Sequence, residues 1–143
     1  MPNFLRTRPT GGLPLLPAVE AAIFICALMI RVELIIPPSL NNAYATLPNK
    51  RRIPSKDHAA WKARAGWMLN ASRCKPIPGR YTFTILVPWD MLGDVSNRIK
   101  LAEDLFVEMR LTADDSKAVS VTCRRDKTVE HGMCIVEVRE WVE

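Results

Sequence analysis

Gly93-Asp-Val-Ser-Asn-Arg-Ile-Lys-Leu-Ala-Glu-Asp-Leu-Phe-Val-Glu-Met109 is the stretch whose reading decides the fold. Ile99, Ala102, Leu105, Phe106 and Met109 recur at helical spacing, which predicts an amphipathic helix over residues 98–109 with Asn97 or Ser96 as its cap. Asp94 then lies just before the helix. Side chains on a helix lean toward its N-terminus, so Lys100, one turn in, is expected to point back toward Asp94. A helix of this length is about 18 Å long, and five or six extended residues cover about the same distance. Residues 110–115 can therefore run back beside the helix and bring Asp115 and its neighbour Asp114 to the same end. Carboxylates gathered in this way repel one another and call for a cation. A hard divalent ion such as Mg²⁺ suits an all-oxygen site, where it activates water and stabilises a leaving oxygen in phosphodiester hydrolysis. The plainer alternative is an acid favoured by the helix dipole at Asp94 and an ordinary polar turn at Asp114-Asp115.

Outward from this stretch the pattern alternates between strand and helix. Ile30-Arg-Val-Glu-Leu-Ile-Ile36 reads as a first strand, stopped by Pro37-Pro38, and residues 39–49 as a loop. Ser55 is a natural N-cap for a helix over residues 56–72, with Ala59, Ala60, Ala63, Trp67 and Leu69 supplying helix propensity or apolar surface. Tyr81-Thr-Phe-Thr-Ile-Leu-Val87 is a second strand closed by Pro88. Residues 118–125 and 134–139 are two more, expected to pair antiparallel across a turn ending at His131-Gly132. The fold class expected is α+β in the order β-α-β-α-β-β: a mixed sheet, two packed helices and a C-terminal β-hairpin.

Composition bounds the function. A chain of 143 residues, 48% hydrophobic and 24% charged, fits a single globular domain with a core. The net charge of +5 and pI near 9.3 favour an anionic partner. The distribution is more telling. Between positions 50 and 80 stand Lys50, Arg51, Arg52, Lys56, Lys62, Arg64, Arg73, Lys75 and Arg80 against Asp57 alone, whereas acids gather from Asp90 onward. A basic half that attracts phosphates beside an acidic pocket that holds cations is what a metal-dependent nuclease needs. Cys26, Cys74, Cys123 and Cys134 lack metal-ligand spacing and His58 and His131 stand alone, so reduced cysteines in a cytoplasmic protein are expected rather than a zinc site. Cys123 and Cys134 would face each other across the expected hairpin as small apolar residues.

Residues 1–17 hold four prolines and two glycines, a composition that reads as a disordered leader. The uncharged run 21–30 is too short to span a bilayer, and a secretory signal lacks a good cleavage site. Residues 1–28 are therefore expected to be an extension or a misassigned start, with the domain over residues 29–143.

Asp94-Val-Ser-Asn97, then Lys100, Asp104 and Asp114-Asp115, together with Pro37-Pro38-Ser39-Leu40-Asn41-Asn42-Ala43-Tyr44 upstream, resembles the RusA-type Holliday-junction resolvases. In that family an acid-rich D-x-D-N element opens a helix, a lysine follows on its first turn and a D-D pair comes after. The resemblance covers roughly residues 29–143. It implies a Mg²⁺-dependent homodimeric endonuclease of DNA recombination and repair, of the kind bacteria and phages carry, that resolves four-way junctions by paired nicking. Asp94 and Asp115 would hold metal, Asp114 would assist, and Lys100 would stabilise charge at the scissile phosphate. Ser96 stands where the pattern often has a second aspartate, and its hydroxyl would bind metal more weakly. Leu101 and Val107 make the site helix apolar nearly all round, which fits the burial of a second face in the implied dimer.

Contacts to DNA are expected from Asn41, Asn42, Tyr44, Lys50, Arg51, Arg52, Lys56 and Lys62, with Asn97 and Lys100 at the site. As turn formers, a packed aromatic and a solvated charged face, the same residues also have plainer readings. Two alternatives to the nuclease remain: a non-catalytic branched-DNA-binding protein of the same fold, marked by Ser96, and a small basic RNA-binding protein.

Overall fold

A computed structural model of the protein describes residues 28–142. The leader, the start of the apolar run and Cys26 lie outside the described residues. Strand β1 (Met29–Ile35) buries Ile30, Val32 and Leu34 on one face and ends before Pro37-Pro38. After a 3-10 turn at Leu40–Asn42, residues expected to be loop form a small antiparallel ribbon, β2 (Tyr44–Thr46) with β3 (Arg52–Pro54). At its tip Lys50 takes φ +67°. Ser55 caps helix α1 (Lys56–Ala71) by accepting the amide of His58 at 3.2 Å.

The buried stripe of α1 is His58, Trp61, Ala65, Gly66 and Leu69. Leu69 falls on it as expected, but Ala59, Ala60 and Ala63 are exposed and Trp67 is 72% exposed. Trp61 donates its indole N–H to the Ile35 carbonyl at 2.8 Å, docking α1 onto β1. Strand β4 (Tyr81–Pro88) buries Tyr81, Phe83, Ile85 and Val87 and leads to helix α2 (Ile99–Glu108). Phe106 of α2 meets Phe83 edge-on, with ring centroids 5.4 Å apart. Strands β5 (Ala118–Asp126) and β6 (Met133–Glu140) complete the domain.

The main sheet has the order β1-β6-β4-β5, and β4 and β5 run parallel while the other pairs are antiparallel. Mixed sheet and two helices agree with the expectation, whereas the C-terminal hairpin does not. β6 inserts between β1 and β4, so β5 and β6 are not neighbours. Burial explains the order. Cys134, Val136 and Val138 of β6 are fully buried and suit a central strand, whereas β5 exposes Val119, Ser120, Val121 and Thr122 and suits an edge. Cys123 and Cys134 consequently sit on strands separated by β4, and both are free thiols. Burial pushes the Cys123 thiol up to about 11 and the Cys134 thiol up to about 12.

Leu101, Ala102, Leu105 and Phe106 of α2 are all buried within the single chain. Leu101 is thus absorbed by the chain's own core, whereas Val107 stays half-buried. Gly66 of α1 faces α2, and a Cβ there would meet Met109 Sδ at an ordinary 3.6 Å, so the approach of the two helices does not depend on the glycine.

Candidate functional site

The acid-lysine cluster is built from the two ends of the β4-α2-β5 unit. At the end of α2 the chain reverses through Arg110 at φ +61°, and the amide of Leu111 reaches back to the Phe106 carbonyl at 2.9 Å. Leu111 in turn accepts the Ile77 amide at 2.8 Å, and Thr112 bridges Ile77, which fixes the path of the returning segment. The Tyr81 hydroxyl, at the base of β4, donates to the Asp114 carbonyl at 3.1 Å. Asp114 then caps a short 3-10 turn, Asp115–Lys117, by accepting the Ser116 amide at 3.1 Å. Asp115 is thereby presented to solvent beside α2.

Lys100 meets it there. Its ammonium donates to Asp115 Oδ2 at 2.9 Å and lies 3.1 Å from Asp104 Oδ1, one helical turn on. Asp115 and Lys100 are fifteen residues apart in sequence, and their meeting agrees with the expected return of the chain. The direction of Lys100 does not: it bridges Asp115 and Asp104 instead of pointing back to Asp94. Two carboxylates on one side outweigh the intrinsic lean of a helical side chain. The paired ammonium holds the Asp115 carboxyl below its ordinary value, helped by Asp114, and the two acids raise the Lys100 pKa.

Asp94 stands at the other approach. It precedes a 3-10 turn, Val95–Arg98, in extended conformation, exposed and with no side-chain cap hydrogen bond. Ser96 and Asn97, expected as helix caps, lie inside this turn. Among the described residues Lys100 pairs with Asp104 and Asp115, and no ion pair joins it to Asp94. The turn is pinned from β5. Cys123 Sγ donates to the Val95 carbonyl at 3.0 Å, and Arg125 donates to the carbonyls of Trp89, Met91 and Gly93. Arg98 donates to the Pro37 carbonyl at 2.8 Å, and the Val95–Arg98 and Leu40–Asn42 turns touch. Exposed Asn41 and Asn42 are thus placed next to the Asp94 turn.

The other expected DNA contacts divide. Lys50, Arg51, Arg52 and Lys56 are exposed on the ribbon and at the start of α1. Tyr44 packs edge-on against His58, at 5.3 Å between centroids, with the Arg52 guanidinium 4.9 Å over its ring, so it is a wall of the ribbon rather than a free stacking surface. Lys62 is paired with Glu108 at 3.0 Å. Both line a cleft of about 220 Å³ between α1 and α2 that also takes in Asp104 and Tyr44.

Asp104, although it falls within the motif of the resemblance, and Glu103, Tyr81 and Arg125 carry no role expected from the sequence. Asp104 was detectable as an i,i+4 partner of Lys100. Glu103 is 9% exposed, and burial raises its carboxyl pKa, against which Lys100 acts. Burial also raises the Tyr81 pKa, and Glu103, Asp115 and Asp114 add to the rise. No local signal marks Tyr81 or Arg125.

The donors suit a hard divalent cation in kind, being carboxylate oxygens with Asp94 and Asp115 solvent-facing. Among the described residues no three His, Cys, Asp or Glu side chains are grouped to hold a metal ion. Magnesium commonly takes only one or two carboxylates and completes its shell with water and substrate phosphate, so this donor set is compatible with it. No helix among the described residues is long and apolar enough to cross a membrane. The chain matches none of the protein-family models and none of the curated proteins compared with it.

Proposed function

We propose that the protein is a Mg²⁺-dependent endodeoxyribonuclease that acts on branched DNA, nicking four-way junctions in recombination and repair as a cytoplasmic homodimer, in line with its resemblance to RusA-type resolvases. What supports the reading is the approach of Asp115 to Lys100 beside the turn that Asp94 opens, with a basic ribbon on the same domain. Asp94 and Asp115 would hold the metal, with Asp114 and the Ser96 hydroxyl at its margin. When bound, the ion supplies an activated water and charge stabilisation at the leaving oxygen. Lys100 is the chain's own cation at this place. In the free protein it pairs with Asp115 and Asp104, and with substrate it has a phosphate oxygen to turn to as charge builds. Tyr81 and Arg125 act as positioning residues, holding the Asp114 carbonyl and the 89–93 carbonyls respectively. Asn41, Asn42, Asn97, Lys50, Arg51, Arg52 and Lys56 would fix the backbone of the DNA.

The test is a synthetic four-way junction incubated with the protein and Mg²⁺. Symmetric paired nicks that Asp94→Asn and Asp115→Asn abolish are expected; absence of nicking, or equal nicking by Asp94→Asn, rejects the reading. A second reading is favoured by Ser96 and by the saturation of Lys100 with two carboxylates: a junction-binding protein that does not cut. Tight junction binding without nicks selects it, and gain of nicking in Ser96→Asp would tie the loss to that position. Preference for RNA over junction DNA at fixed salt would instead select an RNA-binding protein.

A further inference from the structure

The loop 89–93, between β4 and Asp94, exposes two large apolar side chains: Leu92 is 87% exposed and Trp89 58%. It is not loosely held. One side chain, Arg125, gathers the carbonyls of Trp89, Met91 and Gly93, and Gly93 at φ +88° turns the chain into Asp94. Met91 is half-buried and anchors the middle of the loop. The Lys127 ammonium sits 4.9 Å over the Trp89 ring, covering one face with positive charge and leaving the rest of the ring to solvent. Beside Leu92 lies a cleft of about 230 Å³, walled by Ile36, Pro88, Met91 and Arg98, with Asp90 and His131 at its rim. Keeping Leu92 and Trp89 in water forgoes their burial, and a loop fixed by three hydrogen bonds has no freedom to tuck them away.

Apolar side chains on rigid projections enter base steps and unstack them, and aromatic rings stack on exposed bases whatever their sequence. We propose that the 89–93 loop is a wedge for nucleobases: Leu92 enters the stack at a branch point or frayed end, and the free face of Trp89 stacks on the displaced base. Lys127 supplies the charge complement to the adjoining phosphate. The inference rests on the nucleic-acid reading above and names how that site would choose branched over regular DNA. The wedge lies two residues from Asp94, so the opened step would be the one presented to the site.

The experiment uses the full chain and four-way junctions carrying 2-aminopurine at the branch point, with a matched duplex as control. A rise in 2-aminopurine emission is expected on binding to the junction and none on the duplex. Leu92→Ala and Trp89→Ala should lose most of that rise and about tenfold in junction affinity while leaving duplex affinity unchanged. Trp67→Ala, on the exposed face of α1, should behave as the parent protein. Junction binding with flat emission, or a rise that neither variant reduces, overturns the wedge while leaving the nuclease reading intact. Failure to bind any junction rejects both. If the two variants instead convert a dimer to monomer by sedimentation, the loop seats a second copy and the wedge is overturned.

Discussion

Lys100 shows how one side chain can close a site that the backbone only brings near. One ammonium between Asp104 and Asp115 offsets only one of the two negative charges, so the cluster keeps a net negative charge that favours a cation. Lys100→Met leaves those two carboxylates facing each other, so the Asp115 carboxyl should titrate at higher pH than in the parent; NMR titration checks this. The sign of the pH dependence follows from the two shifts. The Asp115 contribution, from a lowered carboxyl, is present above its unfolded value and is lost as pH falls through the folded one. The Lys100 contribution, from a raised ammonium, is full at neutral pH and lost only in strong alkali. Acid, not mild base, should therefore weaken the pair. Junction nicking by Lys100→Met should fall at least about a hundredfold, as for loss of a transition-state charge partner, with binding retained. The buried thiols offer a further check. Peptide mapping after brief alkylation at pH 8 should find Cys74 modified well before Cys134, which burial keeps protonated.

Among the elements, α2 carries both the core and the site. Phe106→Ala should cost about 3–5 kcal/mol of stability by denaturant titration, since the ring is fully buried against Phe83. Gly66→Ala on α1 should go the other way. The added methyl meets Met109 Sδ at an ordinary 3.6 Å, so the gain in helix propensity, about 0.5–1 kcal/mol, is expected to appear as a higher Tm. The boundaries of α1, and Ser55 as its cap, were legible because capping is a local affair of a few residues. The face that α1 buries was not. Alanine and tryptophan at 59, 60, 63 and 67 look apolar one by one, yet the helix is docked through Trp61 to the Ile35 carbonyl and through His58 to the Ala43 carbonyl, at 3.1 Å. Those contacts join residues far apart in the chain.

At the scale of the whole molecule, the basic ribbon and the acid cluster occupy one domain, and their contributions separate by salt. Replacing Lys50 or Arg51 by alanine should reduce the slope of log affinity against log salt by about one unit each, whereas Lys62→Ala should change it less, because Glu108 already neutralises that ammonium. The burial of Leu101 at 2% exposure makes a similar distinction for assembly: Leu101→Ala should lower unfolding stability by about 2–4 kcal/mol without altering the sedimentation of any dimer.

The four main strands and the two helices, with their limits to within a residue or two, were written in the sequence, since hydrophobic period, prolines and a serine cap act over a turn or a strand; the ribbon of residues 44–54 was not, because its short strands carry no such pattern. So was the return of Asp115 to the site helix, because chain lengths alone permit it. The order of strands was decided only in three dimensions. Neighbouring runs 118–126 and 133–140 have the local pattern of a hairpin, but burying Cys134, Val136 and Val138 on a central strand removes more apolar surface from water than pairing them with an exposed edge would. The partner of Lys100 was likewise a tertiary matter, because the nearest carboxylate in space, not the lean of the helix, decides where an ammonium settles.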